Sequence, residues 1–370
     1  MGLKKLILHM VLWFFYQLAK CLPVRQNRIT FVTLTSQILT GDFKLLDEEL
    51  KRYPDIEIRY ILTKFEKTIK GDLLYFLNCI KQVFLINTSK VVILNDNNYV
   101  VSHFKRSQVR VLQVWHACGA VKKFGNEIDR QYEIKNYDYV LSTSDQWKPV
   151  YAKAFGVNEH QVLPLGIPRT DALFSKACRL AYRNELLEKY PELQGKYVIL
   201  YTPTFRGNII KGLRHVDLDL SSLIEKLPDH YAVMYKMHPL LRDVDLGSGE
   251  RILNVTDEEL NHLYTVADCL ITDYSSILFD FSIMEKKVIL YTPDLAEYGE
   301  TLGFNIDLKS IPFPVCQTAE SLTKELCIKD YDKKSIKAFK DMYFMYQDGE
   351  STKRVSSFIY QQLKLSLIHI

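Results

Sequence analysis

After an N-terminal apolar stretch, the chain alternates short apolar runs of strand length with longer stretches of helical periodicity. In the first half the runs cover 29–34, 56–62, 91–94, 109–114, 139–142 and 162–165, with helical patterns at 43–52 and 73–86. In the second half they cover 197–201, 232–236, 269–272 and 288–291, with helical patterns at 220–226, 258–266 and 277–285. Continuous apolar runs interleaved with helices predict βα units built on parallel sheets buried on both faces. The stretch Gly166-Ile167-Pro168-Arg169-Thr170-Asp171 ends a strand ahead of a charged helical segment, 176–189, and divides the two halves. The reading is therefore α/β, with two doubly wound, Rossmann-like domains, 28–171 and 172–330, facing each other across a cleft. Residues 331–370 are expected to form helices that pack back across both domains.

The first residues carry a different pattern. Residues 6–16 read LILHMVLWFFY, with Lys4 and Lys5 before them and Lys20, Arg25 and Arg28 after; the first acidic residue is Asp42. A spanning helix needs about 20 apolar residues, and Ala19-Lys20-Cys21 is a poor signal-peptide cleavage site. Residues 1–27 are expected to form a helix lying in a membrane interface, with aromatic rings at headgroup level and basic residues meeting anionic lipid. The competing expectation is an ordinary core helix of the first domain.

Composition narrows the classes without choosing among enzymes. The 370 residues are 47% hydrophobic and 25% charged, which excludes a disordered chain and a multi-span membrane protein. A net charge of +4 is too small for a dedicated nucleic-acid binder. The seven cysteines include no CxxC pair, which argues against a zinc ribbon or a disulfide framework and for a reducing compartment.

In open α/β sheets ligands bind beyond the carboxyl ends of the strands, and four motifs fall there. Trp115-His116-Ala117-Cys118-Gly119, followed by Lys122 and Lys123, ends one strand; a histidine ahead of a glycine turn suits a general base. Thr202-Pro203-Thr204-Phe205-Arg206 ends another, offering two hydroxyls and a planar guanidinium to an oxyanion. Lys236-Met237-His238-Pro239 ends a third, with Pro239 restricting His238. Thr272-Asp273-Tyr274-Ser275-Ser276 opens a helix carrying Asp280 and reads as a phosphate-binding helix N-terminus, with the acidic residue in reach of a ribose. Taken singly, each also has a bland reading: a capping histidine, a solvated arginine, an N-cap serine, an exposed carboxylate. No P-loop, GxGxxG, HExxH or GxSxG motif is present. Asn95-Asp96-Asn97-Asn98 holds a single carboxylate and makes a poor divalent-ion site, so neither metal nor cofactor is called for.

Together, WHACGAVKKFG, GIPRTD, YTPTFRG, KMHP and ITDYSSILFDF resemble the CDP-glycerol glycerophosphotransferase family of wall teichoic acid synthesis, over about residues 29–349. The resemblance implies a GT-B fold and transfer of glycerol phosphate from CDP-glycerol to a lipid-linked acceptor, with release of CMP, at the cytoplasmic face of a Gram-positive cell membrane. WHACGAVKKFG, in place of the WHGTPLK of polymerases, is similar to the priming members. These add the first unit to ManNAc–GlcNAc on undecaprenyl diphosphate. Later CDP-glycerol or CDP-ribitol transferases and, from a different class, a non-catalytic nucleotide-binding module are the alternatives. By this resemblance His116 is the acceptor-side base and His238 the donor-side catalytic histidine. Thr202, Thr204, Arg206, His238, Pro239, Asp273, Ser275, Ser276 and Asp280 bind the donor, and Asp96, Asn97, Trp115, Gly119, Lys122 and Lys123 belong to the acceptor side.

Overall fold

A computed structural model describes residues 3–64, 68–208, 212–238 and 241–364. The chain forms two compact units. Unit 1 holds residues 1–116, 124–171 and 345–370; unit 2 holds 117–123 and 172–344.

Unit 1 is built on a six-stranded sheet of β1 (Arg25–Thr33), β2 (Glu57–Leu62), β3 (Ser89–Leu94), β4 (Arg110–Gln113), β5 (Tyr139–Leu141) and β6 (Val162–Leu163). The strands are parallel and ordered β2-β1-β3-β4-β5-β6. All six residues of β3 are buried, as expected of a central strand covered on both faces. The order reverses between β1 and β3, and their carboxyl ends mark the switch point of this sheet.

The GIPRTD stretch is architectural here. Gly166 has φ +85, and a Cβ there would sit 2.3 Å from the Ser351 hydroxyl, so only glycine fits. Arg169 pairs with Asp42 at 3.0 Å, and its backbone N–H donates to the same carboxylate at 2.7 Å. Asp171 accepts from the backbone N–H groups of Ser351 and Thr352, each at 2.8 Å. It therefore supplies, from a distant part of the chain, the cap of the helix Ser351–Lys364.

The sheet of unit 1 is flanked by α1 (Leu3–Lys20), α2 (Gly41–Leu50), α3 (Ile69–Asn87) and α4 (Tyr99–Phe104). One face of α1 is packed. Leu12 and Ala19 are fully buried, Phe15 meets Phe84 of α3 edge-on, and the His9 ring lies between Tyr99, His103 and Phe104. The opposite face is apolar and open: Leu6, Ile7, Met10, Trp13 and Phe14 are exposed, with Trp13 and Phe14 at 55%. The amino-terminal half of α3 likewise exposes Leu73, Leu74 and Leu77. His9 meets Tyr99 and Tyr16 meets Lys105, while Gln82 meets Asn98 and Asn87 meets Phe104. Both α1 and α3 thus run in the direction of α4. No helix among the described residues is long and apolar enough to cross a membrane.

Unit 2 repeats the plan with β7 (Tyr197–Thr202), β8 (Phe205–Asn208), β9 (Gly212–His215), β10 (Tyr231–Tyr235), β11 (Ile252–Asn254), β12 (Cys269–Thr272), β13 (Lys287–Tyr291) and β14 (Val315–Cys316). Its parallel sheet has the order β11-β10-β7-β12-β13-β14, and β8 and β9 form a separate antiparallel hairpin. The switch point lies between β7 and β12. The core joins Ile199, Val233, Ile271 and Ile289 from four adjacent strands to Leu220, Leu223 and Leu322 of flanking helices. The carboxyl-terminal stretch is divided between the units. The helix Lys333–Tyr343 packs Phe339 onto Phe279 in unit 2, and the helix Ser351–Lys364 belongs to unit 1.

Candidate active site

In unit 1 the switch point is stapled by Asp96. Its carboxylate accepts from the Thr33 hydroxyl at 3.2 Å, the Leu34 backbone N–H at 3.3 Å and the Thr35 hydroxyl at 3.3 Å, tying the loop after β1 to the loop after β3. Asp96 is thereby spent on the scaffold. Gln113, fully buried at the end of β4, makes the next tie: its amide donates to the Asp96 carbonyl at 3.0 Å and accepts from the Trp115 N–H at 2.9 Å. Trp115 adopts φ +64, a left-handed conformation that costs a bulky residue free energy. The turn is held because the indole packs at 3.9 Å on the His116 ring and stacks on Phe124 at 5.2 Å.

His116 is delivered by that turn. Its Nδ1 lies 3.1 Å from the Asn95 carbonyl, a contact that makes Nδ1 the protonated nitrogen of the neutral ring and leaves Nε2 to accept a proton. His116 is exposed to solvent, with the Trp115 ring and the Asn95 carbonyl against its imidazole. Loss of water pushes its pKa below the ordinary 6.5; the Asn95 carbonyl and Asp96 oppose this, and Arg169 adds to it. A histidine shifted in this direction is neutral at pH 7, the state a general base requires. The Asn95 and Asn97 side-chain carbonyl oxygens, in the loop that holds His116, are buried and meet no partner among the described residues. Asn98 instead caps α4, accepting from the Val101 N–H at 2.9 Å.

The switch point of unit 2 is stapled in the same way by Asp273, which accepts from the Thr204 N–H at 3.1 Å and the Thr204 hydroxyl at 2.8 Å. Arg206 then fills the rest of the site. Its Nη1 donates to Asp273 at 2.8 Å and to the Thr204 hydroxyl at 2.8 Å. Its Nε and Nη2 donate to Asp294 at 2.5 and 3.2 Å. The guanidinium also lies 5.0 Å from the Tyr274 ring and 4.7 Å from the Tyr298 ring, and Tyr274 donates to Asp294 at 3.1 Å. Burial alone would lower its pKa, but Asp294 and Asp273 more than offset that and hold it up. The sequence reading has Arg206 offering a free fork to phosphate; in the structure that fork is engaged by two carboxylates.

Thr202 is buried, with its hydroxyl oxygen meeting no partner among the described residues and its carbonyl accepting from Thr272 at 2.8 Å. His238 lies edge-on to Phe205 at 4.8 Å, and Pro239 lies outside the described residues. The helix after Asp273 spans only Ile277–Ser282, ending short of the expected 285; the Ser275 hydroxyl accepts from the Ile277 N–H at 3.3 Å, and Ser276 makes no side-chain cap. Asp280 is buried rather than an exposed helical carboxylate. Gly119, Lys122 and Lys123 fall in unit 2, because the chain leaves unit 1 directly after His116. Among the described residues no three His, Cys, Asp or Glu side chains converge as a metal set.

Sequence reasoning misses Asp294, Gln113 and Asn95. Asp294 follows β13 by three residues, so the rule that finds the other strand-end residues also reaches it. Gln113 is the last residue of its strand and reads as part of an apolar run.

Residues 14–361 match the model of the CDP-Glycerol:Poly(glycerophosphate) glycerophosphotransferase family. The chain is 34% identical to the teichoic acid ribitol-phosphate primase of Bacillus spizizenii, over 92% of this chain and 93% of that one. It is 33% identical to the teichoic acid glycerol-phosphate primase of Bacillus subtilis, over 76% of each. Among solved structures the wall teichoic acid polymerase TagF superposes with a TM-score of 0.75 at 22% identity, covering 96% of this chain and 94% of that chain, a likeness of fold. With a family model matched across nearly its whole length and primases among its relatives, this chain belongs to the CDP-glycerol:poly(glycerophosphate) glycerophosphotransferase family and is a transferase of teichoic acid biosynthesis.

Proposed function

We propose that the chain primes a teichoic acid. It transfers one glycerol phosphate from CDP-glycerol to ManNAc–GlcNAc-diphospho-undecaprenol and releases CMP. The observation that carries this reading is His116: a histidine held neutral at the switch-point edge of unit 1, its protonation site fixed by the Asn95 carbonyl. An acceptor hydroxyl attacks the glycerol-bearing phosphorus, the new P–O bond forms as the bond to the CMP oxygen breaks, and His116 Nε2 takes the hydroxyl proton. Transfers of this type depend on positioning and charge stabilisation more than on covalent help from the protein. The charged, aromatic cluster of unit 2, with Thr204, Ser275, Ser276 and His238, suits the donor.

The acceptor is a lipid, and the open faces of α1 and α3 give the protein a way to reach it. Trp13 and Phe14 on α1 and Leu73, Leu74 and Leu77 on α3 are exposed apolar side chains on two neighbouring helices, and the first turn of α3 carries Lys70 and Asp72. In this reading the protein is peripheral on the cytoplasmic leaflet, half of α1 serving the fold and half the membrane.

CDP-ribitol is the second donor to consider, because the ribitol-phosphate primase of Bacillus spizizenii matches over more of the chain than the glycerol-phosphate primase of Bacillus subtilis. CMP release from each donor, with and without the disaccharide acceptor, decides. Release from CDP-glycerol that requires the disaccharide and stops after one unit supports the proposal. Release only from CDP-ribitol, or only with a primed acceptor, moves the enzyme along the pathway. Nucleotide binding without any CMP release contradicts catalysis.

A further inference from the structure

We propose that Lys122, rather than Arg206, supplies the cation that takes the donor's diphosphate, and that Arg206 is a positioning residue held by Asp273 and Asp294. In the unit 2 site Arg206 and Lys122 bring two positive charges, and Asp273 and Asp294 bring two negative ones. Both carboxylates are bonded to the same guanidinium, at 2.8 and 2.5 Å. The planar fork that would grip a phosphate is therefore occupied, and freeing it would strand Asp273, whose side chain is only 2% exposed.

Lys122 stands differently. Its segment is fixed onto unit 2 by backbone bonds on both sides: Asn305 N–H to the Val121 carbonyl at 2.8 Å and Lys123 N–H to the Gly303 carbonyl at 3.1 Å. The Asn305 amide adds a bond to the Lys122 carbonyl at 2.9 Å. The ammonium donates to the Tyr298 hydroxyl at 3.2 Å and lies 5.7 Å from the Phe205 ring and 6.0 Å from the Tyr298 ring. No carboxylate among the described residues lies within ion-pair distance of it. A partly desolvated ammonium with a phenol and two aromatic faces for neighbours has donors left to give, and an anion is the partner it lacks. Phe205 also meets His238 edge-on at 4.8 Å, so Lys122 and His238 share one aromatic neighbour. Burial lowers the pKa of Lys122 and Asp273 opposes this; a bound diphosphate would act in the same direction as Asp273.

This inference rests on the reading of unit 2 as the donor site and reassigns Lys122, which the sequence placed with the acceptor. The experiment is calorimetric titration of the full-length wild type, Lys122→Met and Lys122→Arg with CDP-glycerol, CDP-ribitol and CMP, with thermal unfolding of each protein as the check on folding. Lys122→Met is expected to weaken the diphosphate donor by about 10- to 100-fold and CMP by less, with unfolding unchanged or shifted upward. Lys122→Arg should recover most of the loss. Donor affinity unchanged in Lys122→Met, with a raised KM for the acceptor instead, overturns the inference and leaves the donor reading standing. If the wild type binds CDP-ribitol and not CDP-glycerol, CDP-glycerol falls as the donor, and the same comparison made with CDP-ribitol supports or overturns the role of Lys122. If the wild type binds neither donor, both readings fall together.

Discussion

The two switch points of this molecule are built alike and finished differently. In each, an aspartate just past the strand beside the first one ties two strand-end loops together: Asp96 grips Thr33, Leu34 and Thr35, and Asp273 grips Thr204. In unit 1 nothing cationic among the described residues touches that aspartate, and the site is completed by a neutral imidazole and two unpaired amide oxygens. In unit 2 the aspartate holds Arg206, a second carboxylate balances it, and aromatic rings enclose the pair. One edge suits hydroxyl groups and proton removal, the other a phosphorylated ligand. The shared scaffold shows that topology locates a site, while the side chains placed on it choose the chemistry.

The contrast is broken most severely at Arg206. Arg206→Ala leaves the buried Asp273 charge with its Thr204 hydrogen bonds but no cation and is expected to cost about 3–5 kcal/mol of stability, read by chemical denaturation. A loss no larger than that of a surface residue would mean the pair is not part of the scaffold. In unit 1, Asn97→Leu removes a buried, unpaired oxygen. The protein should become no less stable while the acceptor KM rises by about 5- to 100-fold, because a carbonyl able to receive a substrate hydroxyl is gone. A loss of stability with unchanged KM would make Asn97 structural.

At the surface, Trp13→Glu combined with Leu74→Glu should lower binding to anionic vesicles by about tenfold or more and leave turnover on a soluble acceptor intact. Equal loss on both would return α1 to the core. The mildest test is the pH profile. A histidine whose pKa lies below 6.5 predicts full activity at neutral pH and an acid limb below 6.5. A limb centred above 7 would contradict the neutral base.

Much of this is legible in the sequence because parallel strands buried on both faces read as unbroken apolar runs. All six strands of the first sheet and four of the second fall on such runs to within a few residues. The omissions are short or polar: β11 has three residues, β14 has two, and the hairpin of β8 and β9 carries Arg206, Asn208, Arg214 and His215 in place of an apolar run. Strand-end histidines are visible because position along a strand is a local property. The partners of Arg206 are not, since Asp294 lies 88 residues away and only the fold brings it to 2.5 Å. For the same reason Lys122 reads as a companion of its sequence neighbour His116, although the chain crosses into unit 2 between them. The amphipathic N-terminal segment reads as either membrane or core; the structure packs one face of α1 and leaves the other open, a division that hydrophobicity alone does not reveal.

The proposed mechanism assigns proton removal to unit 1 and donor binding to unit 2, and His116→Ala separates the two. Donor affinity is measured by titration, and CMP formation in a single turnover with saturating acceptor. Donor affinity is expected within about threefold of wild type, with a rate lower by about 10²–10⁴-fold. Normal turnover with abolished donor binding would reverse the assignment.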